Sequence, residues 1–95
     1  TTILANNNRI SHIGEGLEQA IPSLTNLILT NNALAQLEDL DNLFKLPLRT
    51  LSLVGNPVAR LPNYRLYVIH KLPHLKLLDF VKIKPQVHAL QPLLV

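Results

Sequence analysis

The stretch LTNLILTNNALAQL, residues 24–37, has a fixed spacing between its leucines and one asparagine. Its framework reads L-x-x-L-x-L-x-x-N-x-L, in which the asparagine is Asn32. The same form returns at residues 48–58 around Asn56, and residues 3–13 match its later part. Because three segments agree at most framework positions at a constant interval of 24 residues, the sequence predicts a structural repeat.

A repeat of this form and length is the leucine-rich repeat, a coil of chain that stacks on similar neighbours. In each coil the alternating leucines, such as Leu27 and Leu29, point to the same side of a short strand and are predicted to be buried. The asparagine follows the strand, where its amide can bond to backbone groups that the turn leaves unpaired. We therefore predict an α/β solenoid with parallel strands on its concave face and a structural asparagine ladder made of Asn8, Asn32 and Asn56.

The sequence changes in character after the third repeat. Residues 1–61 hold the repeats, and the first one is incomplete, which favours a fragment lacking N-terminal repeats. Residues 62–84 are predicted to form a C-terminal capping repeat, with a helix capped by Asn63 and a strand that reaches Phe80. Residues 85–95 have two prolines and no clear period, so their structure stays open.

The residues between the buried leucines are predicted to point outward into the concave face. Several of them are apolar, and an exposed apolar patch usually binds another macromolecule. The alternative is that β-branched residues simply suit strands, or that missing residues cover the patch. The predicted partner-binding positions are Leu4, Asn6, Asn26, Ile28, Thr30, Thr50, Ser52, Val54, Leu77 and Asp79, with Thr2 and Val81 in the same set.

Composition and motifs argue against several other functions. The chain has no cysteine, which excludes disulfides, thiolate metal sites and cysteine nucleophiles. Its apolar runs are far shorter than the roughly 20 residues that cross a bilayer. The four histidines lack metal-ligand spacing, and no Ser/His/Asp set, close carboxylate pair or phosphate-binding glycine loop is visible. The sequence thus predicts a non-enzymatic protein without a metal, cofactor, membrane span or small-molecule substrate.

Two other binding functions remain open. The net charge of +3, with cations concentrated in the last third, allows RNA contacts there, and Tyr64 or Tyr67 could stack on a base. Both tyrosines, however, fall on the apolar side of the predicted helix, which favours core packing. A repeat protein that regulates a phosphatase is the second alternative, but it would be expected to show acidic and aromatic residues on the concave face, where only Asp79 is charged.

Several stretches beyond the framework resemble one family. NNNRI (6–10), IGEGL (13–17), LTNLILTNN (24–32) and YRLYVI (64–69) contain residues that the repeat alone does not dictate. Together with GNPV, they are similar to the repeat region of the U2 small nuclear ribonucleoprotein A-prime family. The resemblance runs from the first strand to about Lys84, and the tail after that point departs from the charged continuation expected in the family.

The resemblance implies a nuclear scaffold of pre-mRNA splicing. Such proteins bind an RNA-recognition-motif partner, the B-double-prime protein, by receiving one of its helices on the concave face. The pair binds a stem-loop of U2 small nuclear RNA, and the repeat protein's own RNA contacts lie largely toward its N-terminal end. For this chain the resemblance implies that the concave positions, notably Asn6, Ile28, Thr30 and Val54, form the partner site.

Overall fold

The first three coils each contribute one short strand, and the last contributes two, to a single five-stranded sheet. The structure, a computed structural model, describes residues 1–88. Its elements are the strands β1 (Thr2–Leu4), β2 (Asn26–Ile28), β3 (Thr50–Ser52), β4 (Leu77–Leu78) and β5 (Val81–Lys82), the helices α1 (Leu17–Ala20) and α2 (Tyr64–Lys71), and the 3₁₀ helices Leu37–Leu43 and Pro57–Arg60.

Strands β1 to β4 are parallel neighbours, and β5 is antiparallel to β4. The register places Ile3, Leu27 and Leu51 side by side, so the 24-residue period of the sequence is also the period of the stack. Leu51 then pairs with Leu78, which makes the last coil longer than the others. This parallel sheet with helical turns behind it confirms the predicted α/β leucine-rich-repeat solenoid.

The framework leucines form the core, as expected when each coil buries its apolar side chains against the next. Those of the second and third coils are almost fully buried: Leu24, Leu27, Leu29, Leu34, Leu48, Leu51 and Leu53. The last coil adds Tyr64, Val68, Ile69, Leu72, Leu75 and Leu78. The equivalent residues of the first coil, Ile3, Ala5 and Ile10, are only partly buried, because no coil within residues 1–88 packs on their other side.

The turn behind β2 is a short 3₁₀ helix whose start is capped by a carboxylate. The carboxylate of Asp39 accepts hydrogen bonds from the backbone N–H groups of Ala35 (3.2 Å) and Gln36 (3.0 Å), which starts the 3₁₀ helix Leu37–Leu43. Leu40 and Leu43 are three residues apart, so they lie on the same side of a helix with three residues per turn. Both are fully buried, which ties this short helix to the core.

Helix α2 begins directly after Asn63, but the predicted side-chain cap is wrong. Asn63 makes no side-chain hydrogen bond to the helix, and its backbone is left-handed with φ of 64°. Asparagine tolerates that conformation better than most residues because its short polar side chain can bond locally. Asn63 therefore starts the helix through its backbone, and the helix ends at Lys71, ahead of Pro73.

The sheet ends in a two-residue hairpin, and the prediction that the last strand continues through Phe80 is wrong. Asp79 and Phe80 connect β4 to β5 with φ of 53° and 65°, the sign that both central residues of a type I′ turn require. Phe80 is consequently 60% exposed. The reversal also changes the side-chain alternation, because Lys82 pairs with Leu77 while Val81 pairs with Leu78.

Candidate functional site on the concave face

The concave face consists of three rows of side chains that cross the strands. Strand pairing fixes the first two rows, and the backbone bonds from Asn7 to Thr30 (2.9 Å) and from Asn31 to Val54 (2.8 Å) continue the same register into the third. The rows are Thr2, Asn26, Thr50, Leu77 and Lys82; Leu4, Ile28 and Ser52; and Asn6, Thr30 and Val54.

An apolar surface crosses these rows. Leu4 is 71% exposed and Val54 40% exposed, while Ile28 is half-buried between them. These side chains stand among small polar neighbours, so a partner segment can approach the backbone of the sheet closely. Exposed leucine and valine in such a setting are typical of a surface that another protein covers.

The polar side chains of this face are held in place by bonds across the strands. Asn26 donates from Nδ2 to Oγ1 of Thr2 at 3.2 Å. The hydroxyls of Thr30 and Ser52 are 2.9 Å apart. Because these groups are already ordered, a partner that binds here loses less side-chain entropy than it would on a mobile surface.

Ser52 differs from the sequence prediction. It lies in the expected row but is only 1% exposed, so it is not available as a contact. Its side chain is short, and its hydroxyl bonds to that of Thr30 on the neighbouring coil instead of facing solvent. Alternation along a strand predicts the face of a side chain, and it does not predict whether a short side chain reaches the surface.

Asp79 also differs from the prediction that it faces a partner. One carboxylate oxygen accepts from the backbone N–H of Leu53 at 2.7 Å, and the other accepts from the hydroxyl of Tyr64 at 2.9 Å. The left-handed turn redirects the carboxylate toward the end of β3, where it joins β3 to α2. The useful sequence signal was Tyr64, because a buried tyrosine hydroxyl usually has a hydrogen-bond partner.

The Tyr64–Asp79 contact predicts loss of stability at alkaline pH. Burial, followed by the nearby Asp79 carboxylate, raises the pKa of Tyr64 above its ordinary value. Above about pH 10 the unfolded tyrosine loses a proton that the folded one keeps, so the free energy of unfolding falls as pH rises. The expected slope from this group is up to about 1.4 kcal/mol per pH unit.

Urea unfolding between about pH 9 and 11.5 measures that slope. The substitution Tyr64→Phe should flatten it, because the titrating hydroxyl is gone. Tyr67→Phe is the matched control: the pKa of Tyr67 is raised in the same direction, but this residue lies nearer the surface and bonds to Asp41 at a longer 3.3 Å. Equal slopes in the wild type and in Tyr64→Phe would contradict the interpretation.

The framework asparagines occupy three positions along one edge of the stack. Asn32 donates to the carbonyls of Leu29 (2.8 Å) and Ala5 (3.0 Å) and accepts from the N–H of Ile10 (3.1 Å), so it joins its own coil to the first. Asn8 is exposed and donates only within its own coil, to the carbonyls of Ala5 (3.0 Å) and Asn6 (3.2 Å).

Asn56 is 1% exposed and makes the equivalent bonds one coil further on. It donates to the carbonyls of Leu29 (2.8 Å) and Leu53 (3.1 Å) and accepts from the N–H of Leu34 (3.1 Å). In the last coil the residue at the same spacing is Ile83, which is buried and supplies no amide, and the hairpin has already reversed the chain before it. Asn32 and Asn56 therefore connect coils, whereas Asn8 does not.

A second column lies beside this ladder and was missed by the sequence reasoning. Asn7, Asn31 and Gly55 each precede a framework asparagine, and all three have positive φ, of 61°, 60° and 80°. Asn31 donates to the side-chain oxygen of Asn7 at 2.9 Å. The signal in the sequence was that only asparagine or glycine occupies this place, since these residues tolerate left-handed backbone.

Two features are absent from the part of the chain that the structure describes. No group of three or more His, Cys, Asp or Glu side chains among those residues could hold a metal ion. No helix in the same part is both long and apolar enough to span a bilayer. From residue 85 to residue 88 the backbone is helical, and the rest of the 85–95 tail lies outside the described residues.

The chain is similar to several known proteins. A family model described as leucine-rich repeat matches residues 1–91. U2 small nuclear ribonucleoprotein A' of Homo sapiens is 58% identical over 84 residues, which are 87% of this chain and 33% of that protein. The Arabidopsis thaliana protein of the same name is 49% identical over 89 residues, covering 93% of this chain and 36% of its own length.

Two solved structures share the fold. In the crystal structure of the Drosophila melanogaster SNF/U2A' complex, one chain superposes with a TM-score of 0.92 at 50% identity, covering 96% of this chain and 53% of that one. The leucine-rich-repeat domain of Mex67 from Chaetomium thermophilum superposes with a TM-score of 0.70 at 32% identity, covering 93% of this chain and 60% of that one. The chain spans about a third of the length of the curated relatives described above.

Proposed function

The chain belongs to the leucine-rich-repeat family, and from its similarity to U2 small nuclear ribonucleoprotein A' we propose that it is a non-enzymatic protein-binding scaffold of the U2 particle in pre-mRNA splicing. The observation that carries the proposal is the apolar surface formed by Leu4, Ile28 and Val54 on an ordered concave face. The related Drosophila protein forms a complex with SNF, which supports a protein partner.

The proposed partner is an RNA-recognition-motif protein of the B-double-prime type, which lays one helix on the concave face. An amphipathic helix suits this surface because its apolar side chains can cover Ile28 and its two apolar neighbours. The short side chains of Thr30 and Thr50 let the helix come close to the sheet. The proposed site therefore keeps Leu4, Asn6, Asn26, Ile28, Thr30, Thr50, Val54 and Leu77 and leaves out Ser52 and Asp79.

We further propose that U2 small nuclear RNA binds mainly to the complex of the two proteins, and that the protein works in the nucleus. The concave face offers RNA little on its own, since its central side chains are apolar or uncharged. Sequence-independent RNA binding depends on several cations that neutralise phosphates together. A phosphatase regulator is less well supported, because no exposed acidic or aromatic residue lies in the three concave rows.

The substitution Ile28→Glu tests this function. A carboxylate at the centre of an apolar interface has to be buried unpaired, so the Kd for the partner should rise roughly 30-fold or more, equivalent to about 2 kcal/mol. Titration calorimetry with the B-double-prime-type protein and U2 stem-loop RNA, added singly and together, measures it. We expect protein binding without RNA, and RNA binding that is strong only when both proteins are present.

Leu66→Glu is the matched control, because Leu66 is an exposed leucine on α2, outside the concave rows. It should leave the Kd within about twofold. If Ile28→Glu binds as tightly as the wild type while both variants keep the circular dichroism of the folded protein, the partner site lies elsewhere. If the wild-type protein without its partner binds the RNA as strongly as the two-protein complex does, the result favours a self-sufficient RNA-binding function.

A further inference from the structure

The terminal hairpin places a cation on the concave face that the sequence pattern did not predict. Residues directly opposite one another in an antiparallel pair lie on the same face of the sheet. Lys82 is opposite Leu77, and Leu77 is in register with Thr50 of the first concave row. Lys82 therefore extends that row, and its side chain is exposed.

Lys82 is also the only charged residue in the three concave rows. The carboxylate of Asp79 is turned away from them and bonds to Leu53 and Tyr64. The remaining acidic residues of the chain, Glu15, Glu18, Glu38, Asp39 and Asp41, follow the strands, in the turns behind the sheet. Within residues 1–88 the one ion pair joins Lys45 to Glu18 at 4.0 Å, so Lys82 has no carboxylate partner of its own there.

These positions give the concave face a direction. Its most exposed apolar residue, Leu4, is on β1, at one edge of the sheet, and its cation is on β5, at the other. A helix that lies across the strands meets apolar side chains first and a positive charge last. Turning the helix around would place its own apolar residues over Lys82 and leave any acidic residue over Leu4.

We propose that the segment bound on the concave face is an amphipathic helix with an Asp or Glu opposite Lys82, and that this pair sets the direction of the helix and selects among related partners. The inference rests on the proposed function and specifies the chemistry of its partner. An exposed ion pair contributes modest affinity, but it accelerates association and penalises a partner with a like charge at that place.

The geometry also fixes where the acidic residue stands in the partner helix. Neighbouring strands are about 4.8 Å apart, so the three strand spacings from Ile28 on β2 to Lys82 on β5 measure roughly 14 Å. A helix rises about 1.5 Å per residue. The acidic residue should therefore lie about two to three helical turns from the residue that covers Ile28.

Charge reversal of Lys82 tests the inference. With Drosophila SNF or the B-double-prime-type protein as the probe, Lys82→Glu should raise the Kd about tenfold at low ionic strength, and the difference should shrink in about 0.5 M salt. Lys76→Glu is the matched control. Lys76 is exposed, lies just before β4 and outside the three concave rows, and its reversal changes the net charge equally. It should leave the Kd within about twofold.

Reversing each acidic residue of the partner helix to Lys, one at a time, completes the test. One such variant, at the predicted spacing, should restore tight binding to Lys82→Glu and weaken binding to the wild type. The inference is overturned if no partner variant rescues binding, or if Lys76→Glu and Lys82→Glu have equal effects. Loss of binding in Ile28→Glu with full binding in Lys82→Glu would contradict this inference alone, whereas a wild type that does not bind the probe would remove the proposed function as well.

Discussion

Replacing Asn56 with alanine should lower the free energy of unfolding by about 3 kcal/mol. The change leaves the buried N–H of Leu34 without a partner, since the Asn56 side chain is the acceptor it uses. The two carbonyls that accept from the Asn56 side chain each keep another donor. The carbonyl of Leu29 still accepts from the side chain of Asn32, and the carbonyl of Leu53 still accepts from the backbone N–H of residue 56. The main cost is therefore one orphaned buried donor plus the cavity left by a fully buried amide.

Asn8→Ala is the matched control, because it is the same substitution at the equivalent place in the first coil. The Asn8 amide is exposed and bonds only within its own coil, so water can replace it and the expected cost is below about 1 kcal/mol. Urea unfolding of both variants at neutral pH measures the difference. Equal destabilisation by the two substitutions would mean that the contribution of the ladder does not depend on joining one coil to the next.

The repeat period predicted much of this structure because it is itself a physical spacing. Strand partners in the first three coils are 24 residues apart, as the asparagines are. The inward and outward assignment of side chains in one strand therefore applies to the residues 24 positions later. The buried pair Leu27 and Leu29 and the outward side chain of Ile28 follow directly from it. The concave rows could be predicted for these coils, because each strand continues the last in register.

The prediction failed where the period changes. The coil between β3 and β4 is longer, and the turn after β4 is made of Asp79 and Phe80, a pair with none of the glycine or asparagine that usually marks a type I′ turn. Alternation carried through that turn assigns Val81 and Asp79 to the concave face. The structure instead directs Asp79 inward and presents Lys82, so the charge at that end changes from negative to positive.

Gly55 belongs to the second column, beside the asparagine ladder. Replacing it with alanine should lower the free energy of unfolding by about 2–4 kcal/mol. Two causes add. Gly55 has φ of 80°, a left-handed conformation that costs other L-residues about 1–2 kcal/mol. A Cβ added at Gly55 would overlap Oδ1 of Asn31 and would lie 3.1 Å from Cγ of Asn31. The Asn31 side chain cannot move away freely, because it is held by a hydrogen bond to Asn7.

A double-mutant cycle with Asn31→Ala separates the two causes. Without the Asn31 amide the overlap with Oδ1 disappears, so Gly55→Ala should then cost only about 1–2 kcal/mol, from backbone strain and the remaining 3.2 Å approach to the Cα of residue 31. Gly14→Ala is the matched control: nothing lies within 4 Å of the added Cβ and the backbone is not left-handed, so its effect should stay within about 0.5 kcal/mol. An equal cost of Gly55→Ala in both backgrounds would show that strain alone requires glycine there. A lower cost in the Asn31→Ala background would show that the side chain of one coil dictates the residue of the next, which is a constraint that repeat spacing alone does not contain.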